Sequence, residues 1–262
     1  MRLDFTFEKY QQLINIFKNK RYVFYTFRDI AGNSKIDNPH VILRHDVDRL
    51  PVRALKMARL EYDLEIKSTY FFRIKPISFD KKVIKQIIDW GHEIGYHYED
   101  FSNAKGNKVL AWQSFQKNLT KFNKLGEIVS IAMHGSPLSK WDNRSLWNYY
   151  DYRKLGIQIE AYRDVPWDNY IYFTDVGRSW NSKSNIRDKI NRAAPTNKKI
   201  RTTDELIDYI KETNHNFIVS THPERWANNK IAWFQILVTD ACINFIKKIY
   251  KKALLKNANY CA

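Results

Sequence analysis

The sequence predicts a single-domain α/β fold, a barrel of mostly parallel strands surrounded by helices. Three observations predict it. Short apolar or aromatic runs alternate with amphipathic stretches of helical period along most of the chain. The 262 residues, 44% of them hydrophobic, are enough for one large core. Strands separated by helices imply right-handed crossovers and a parallel sheet, and about seven strands in a chain this size favour a barrel over an open sheet.

Taken in order, the elements begin with a helix from Phe7 to Asn19. VILRHD reads as a buried strand. PVRALKMARLEYDL is a helix opening on Pro51, where a missing N–H costs little. STYFFRI is the second strand. FDKKVIKQIIDWG is a helix with Val83, Ile84, Ile87 and Ile88 on one face, and Gly91 suits its left-handed end. EIGYHYED gives a third strand and loop, NKVLAWQSFQKNLTKFNKLG a long helix, and EIVSIAMHG a fourth strand. The second half is less regular. DNRSLWNYYDYRKLG reads as a helix, IQIEAYRDV and YIYFTDVG as strands, TTDELIDYIKET as a helix and NFIVSTH as the last strand. A helix follows from about Ala232, and residues 181–200 form the longest predicted loop. There is no internal repeat. The expected division is an N-terminal helix and extension over 1–39, the barrel over 40–245 and a tail over 246–262.

Composition narrows the function classes. The net charge of +16 allows a polyanionic partner. The lysines are nevertheless scattered, as on solvated helix faces, and no nucleic-acid motif is present, so no specific nucleic-acid partner is expected. No run approaches the roughly 18 apolar residues of a membrane span. The N-terminus carries charges throughout and reads as an amphipathic helix, not a leader. Cys242 and Cys261 form neither a disulfide framework nor a metal knuckle, so a reduced, cytoplasmic setting is expected. Nothing in the sequence indicates the oligomeric state.

Polar residues collect where the strands end: His45, Asp46 and Asp48; His97, Glu99 and Asp100; His134; Asp175 and Arg178; His222. In parallel α/β folds that is the active face. Carboxylates and imidazoles on a rigid scaffold suit zinc or another divalent metal, which acidifies water. A nearby carboxylate can take a proton and an opposing histidine can protonate a leaving amine. Plainer readings stand beside these. Asp46 and Asp48 could cap the helix at Pro51, and His97, His134 and His222 could be hydrogen-bonded loop or strand-end residues. His45 and His92 read as supporting residues, and Trp180 as core or as a sugar-stacking surface.

The five segments, in this order, resemble the polysaccharide deacetylase family over about residues 40–245. The resemblance implies a deformed (β/α)7-type barrel. In RHDVD it implies Asp46 as catalytic base and Asp48 as metal ligand, and in GHEIGYHYEDF it implies His97 as the first metal histidine. HGSPLSKWDNR stands where the family has an Arg-x-Pro segment. TDVGRSW resembles the aspartate and tryptophan pair that orients the general acid, through Asp175 and Trp180, and IVSTH puts His222 in the general-acid position. Arg178 and Trp180 suit recognition of sugar hydroxyls and rings. Two departures stand out: Phe101 occupies the usual second metal-histidine position, and the Arg-x-Pro form is missing. His134 is the expected third ligand, with Glu99 or Asp100 as alternatives. The implied activity is metal-dependent removal of an N-acyl group from an amino sugar of a glycan or glycan precursor, with zinc or another divalent ion as cofactor. The alternative is a glycan-binding or scaffolding protein that has lost catalysis.

Overall fold

In the computed structural model, which describes residues 3–32, 36, 39–180, 190 and 199–241, every strand pairing is parallel. The strands are β1 (Val23–Tyr25), β2 (His40–Val47), β3 (Thr69–Phe72), β4 (Glu93–Tyr98), β5 (Ser130–Met133), β6 (Ile159–Glu160), β7 (Tyr170–Thr174) and β8 (Asn216–Thr221). Their order across the sheet is β6-β5-β4-β3-β2-β8-β7. One edge of β2 is shared: residues 40–42 pair with β1 and residues 44–47 with β3, while β8 takes the other edge.

The sheet curls. Ile42, Phe71, Ala132, Ile159, Tyr170 and Ile218, from six different strands, form one interior cluster with Phe27. Among the described residues β6 and β7 do not pair, so the wall is open there, giving the deformed seven-stranded barrel. Phe71 reaches the interior because its register partner is Gly95, where an added Cβ would lie 2.3 Å from the Phe71 ring. That close approach accounts for the second glycine of GHEIG.

Helices α1 (Phe7–Asn19), α2 (Phe27–Gly32), α3 (Pro51–Asp63), α4 (Lys81–Asp89), α5 (Asp100–Asn103), α6 (Lys108–Asn123) and α7 (Thr203–Glu212) surround the sheet. Val83, Ile84 and Ile87 of α4 and Phe115 and Leu119 of α6 join the outward side chains of β3 and β4 in one core. Tyr10, Leu13, Ile14 and Phe17 of α1 join those of β2 and β8 in another. Each such side chain contributes roughly 1.5–3 kcal/mol by burial. Gly91 takes a left-handed φ of 83° just past α4, as expected. The N-terminal stretch is thus part of the fold, through both α1 and β1.

Three expectations differ. β1 and α2 had no counterpart, because elements of three and six residues are too short to show a period. The helix over DNRSLWNYYDYRKLG is instead two 3-10 turns, Asn143–Asn148 and Tyr152–Leu155. Asp142 and Asp151 each accept from the backbone N–H two residues on and restart the turn. IQIEAYRDV yields a strand of only Ile159–Glu160, since Asp164 Oδ2 captures the Glu160 N–H at 2.6 Å. Residues 230–241 are helical. Both cysteines, the tail and most of the predicted loop over 181–200 lie outside the described residues. No helix among the described residues is long and apolar enough to cross a membrane.

Candidate active site at the carboxyl end of the sheet

The period-two alternation of β2 sends Ile42 into the interior cluster and Leu43 outward. Arg44 and Asp46 therefore face inward, and His45 faces the helices. The Arg44 guanidinium grips Asp46 with both arms, Nε to Oδ1 and Nη2 to Oδ2 at 2.8 Å each. Burial pushes the Asp46 carboxyl up, but Arg44, by its charge and its hydrogen bonds, leads the groups that outweigh burial and hold the carboxyl below the usual carboxylate range.

Beyond the strand, Asp48 Oδ1 faces His97 Nε2 at 3.7 Å and His134 Nε2 at 3.6 Å. His97 Nε2 also lies 3.7 Å from Asp46 Oδ2. Each imidazole has its other nitrogen engaged: His97 Nδ1 donates to the Ala132 carbonyl at 3.0 Å, and His134 Nδ1 meets Ser136 Oγ at 3.1 Å. The His97 Nε2 is thereby presented to Asp48 as a lone pair. Burial pushes His97 down to about 4, so it is neutral near pH 7. Asp48 Oδ1 is buried and accepts no hydrogen bond from any described residue, and His134 is the largest charge drawing its carboxyl down against burial.

A carboxylate and two imidazoles are a donor set that suits a divalent metal in kind. In spacing the group is open. Ligands at zinc bond lengths stand about 3.3 Å apart, and among the described residues no group of three or more His, Cys, Asp or Glu side chains is placed to hold a metal ion. Arg73 Nη1 also stands 4.0 Å from Asp48 Oδ1.

Just past β8, His222 Nδ1 donates to Asp175 Oδ1 at 2.6 Å, and its backbone N–H donates to Asp175 Oδ2 at 2.9 Å. Burial and Arg225 push the imidazole down, but Asp175 outweighs both and the net is up, to about 9. His222 is therefore charged at neutral pH, and its charge acts on Asp46 and Asp48. Asp46, Asp48, His97, His134, Asp175 and His222 thus meet at one end of the barrel, although they are spread over most of the sequence.

Other expected residues are placed differently. Glu99 is held by Arg73 Nη2 at 2.8 Å and sits 3.4 Å from His134 Nδ1, on the side of that ring away from Asp48. Asp100 accepts from Tyr96 and Ser114 at 2.6 Å and from Asn118 at 3.0 Å, which makes it a buried anchor between β4 and α6. Phe101 packs on Trp141 and Tyr149. Trp180 is 2% exposed, with its ring against Phe5 and Trp226, so it has no face for a sugar. The indole that donates to Asp175 is Trp226 Nε1, at 2.9 Å, in place of Trp180. Arg178 turns away to the Arg225 carbonyl and lies between the rings of Phe5 and Trp233.

Sequence reading missed Arg44, Arg73, Trp226 and Glu224. Arg44 carried a usable signal, an arginine two residues before an aspartate within one buried strand. Glu224 is buried beside the site, with Oε2 unpaired among the described residues, and burial and Asp48 push it up to about 7. His45 joins Glu61, which also accepts from Tyr10, Tyr70 and Ser68; these side chains brace β2 from behind. Beside His134 and Glu99, a groove of about 570 Å³ is lined by Ser102, Asn103, Lys105, Lys140 and Trp141.

No known family model matches the chain, and no curated protein matches it. Among solved structures, a CE4 family pseudoenzyme from Bacillus anthracis aligns at 13% identity and a TM-score of 0.46, covering 78% of this chain and 61% of that one. A Streptococcus mutans CE4 esterase aligns at 17% identity and a TM-score of 0.46, covering 90% and 91%.

Proposed function

We propose that this chain is a metal-dependent hydrolase that removes an N-acyl group from an amino sugar of a glycan or glycan precursor. The observation that carries the reading is a juxtaposition at the carboxyl end of the sheet. Asp48, His97 and His134 form a group of metal-type donors, and His222, kept charged by Asp175, lies near enough for its charge to act on Asp46 and Asp48.

Asp48, His97 and His134 are the residues that would hold the ion. Bound there, zinc or another divalent ion would acidify water and polarise an acyl carbonyl. Asp46, ionised and aligned by Arg44, accepts the proton of the attacking water. As the C–N bond breaks, His222 gives its proton to the departing amine, and Asp175 steadies the imidazole throughout. Glu99 and Ser136 orient His134. The groove beside His134 offers Trp141 as a ring surface and Asn103 and Ser102 as hydroxyl partners, which suits a sugar. A cytoplasmic setting and a nucleotide- or lipid-linked glycan precursor are part of the same proposal.

A second reading, a glycan-binding protein without catalysis, is favoured by Arg73, whose charge stands 4.0 Å from Asp48 Oδ1 and competes with a cation. One experiment separates the two. Equilibrium dialysis against zinc, followed by an acetate-release assay on a panel of N-acetylated amino sugars, should give one ion per chain and turnover that a chelator abolishes. Sugar binding with neither metal nor acetate release would establish the second reading.

A further inference from the structure

Two outward-facing residues stand directly before Asp46 and His222. In β2 and β8, Ile42 and Ile218 point into the barrel. By period two, His45 and Thr221 then point outward, and Asp46 and His222 inward. His45 and Thr221 are also register partners, the last pair between the two strands. Asp46 and His222 thus lie one residue beyond the final backbone rung. His222 has already left β8, although its backbone stays extended, with φ −114° and ψ 105°.

On the outer face a side-chain bond reinforces that rung. His45 Nδ1 meets Thr221 Oγ1 at 2.7 Å, and His45 Nε2 meets Glu61 Oε1 at 2.8 Å. All three side chains are fully buried. Glu61 of α3 also accepts from Tyr10, from Tyr70 at 2.6 Å and from Ser68 at 2.5 Å. Burial pushes its carboxyl up, but His45 leads the groups that outweigh burial and hold it at about 2. Glu61 is therefore a carboxylate that can only accept, so His45 Nε2 donates and the ring is fixed. Hydroxyl, imidazole and carboxylate stand in the order of a nucleophile triad. Thr221, however, is sealed behind the sheet against Met57 of α3, where no acyl group reaches it.

We propose that His45 and Thr221 are positioning residues, whose bond, anchored on Glu61, ties the end of β8 to β2 and fixes the spacing of His222 from Asp46. The proposal deepens the hydrolytic reading and rests on it, since Asp46 and His222 are there the base and the acid. Asp46 keeps its own register with Phe71 of β3. The His222 side is therefore the one that loosens when the tie is cut.

The test uses Thr221→Val, which removes the hydroxyl at similar volume, and Thr221→Ser, which keeps it. In Thr221→Val, hydrogen exchange of the His222 amide, which donates to Asp175, should quicken about tenfold relative to the amides of β4. Turnover of an N-acetylated amino sugar should fall by a similar factor at unchanged KM. Turnover of an activated aryl ester, whose leaving group needs no proton from His222, should hold. Thr221→Ser should match wild type in exchange and in turnover. A general loss of stability would instead lower both substrates together and quicken exchange across the whole sheet. Equal losses on amide and ester, or an unchanged His222 exchange rate in Thr221→Val, would overturn the proposal. A wild type that releases no acetate would contradict the hydrolytic reading, and the exchange comparison would still decide whether the tie holds His222.

Discussion

Arg44 and Asp46, two residues apart on β2, form a two-armed ion pair inside the barrel, with both contacts at 2.8 Å. The pair ties the strand's geometry to the charge of the proposed base. Arg44 also stacks on Tyr162, 4.6 Å from the ring centroid, and donates to its hydroxyl at 2.9 Å. The guanidinium so reaches across to the segment between the barrel's edge strands.

Arg44→Met should therefore act on both stability and pH profile. Breaking a buried pair from one side costs about 3–5 kcal/mol, measurable by denaturant unfolding. Without the guanidinium the Asp46 carboxyl rises, so the acidic limb of the rate profile should move to higher pH. Asp46→Asn leaves Arg44 unpaired, so its loss of turnover must be read alongside its unfolding curve.

His222 and Asp175 set the alkaline side. His222 is raised from 6.5 to about 9, so its charged form is stabilised in the folded protein. That contribution, roughly 3 kcal/mol, is complete below pH 6.5 and lost as pH rises through about 9. Turnover should fall over the same upper range, because the donor proton is gone. Asp175→Asn should pull the alkaline limb of the rate profile toward neutrality.

Metal affinity should sort the acidic side chains near His134. His134→Ala should abolish zinc binding measured by equilibrium dialysis. Glu99→Gln, which only loosens the ring's orientation, should weaken it by about 10- to 100-fold. Asp100→Asn should leave metal binding unchanged while lowering stability, since its three donors are all structural.

Glu160 provides a stability test away from the pocket's chemistry. It is fully buried, accepts from Tyr98 and from the Tyr162 N–H, and is pushed by burial from 4.5 up to about 7. A raised carboxyl favours the neutral form, so stability should fall as pH climbs from about 4.5 through 7. Glu160→Gln should remove that slope, worth roughly 3 kcal/mol, in unfolding measured across this range.

The alternation of strands and helices was legible because α1, α3, α4, α6 and α7 span enough turns to display a face. So was the gathering of Asp46, Asp48, His97, His134, Asp175 and His222, since each sits at a strand end and parallel strands share one active end. The partners that tune those groups were not. Trp226 reaches Asp175 only because the chain turns at Pro223–Arg225 after β8, and Trp180, the nearer tryptophan in sequence, is drawn into the core by Phe5 and Trp226. Arg73 and Glu99 directly follow β3 and β4 and pair across the strand ends, a relation that exists only after the sheet forms. Short or side-chain-capped pieces such as β1, β6 and the turns at Asp142 and Asp151 carry no period to read.

The central claim is that His222 supplies a proton to a departing amine as water attacks the acyl carbon. The most direct measurement compares acyl release by wild type and His222→Ala from an N-acetylated amino sugar and from an activated aryl ester. The amide should lose about 10²- to 10⁴-fold in turnover, whereas the ester, whose leaving group needs no proton, should be nearly unaffected. Equal losses on both substrates, or amide turnover that survives in His222→Ala, would contradict the account.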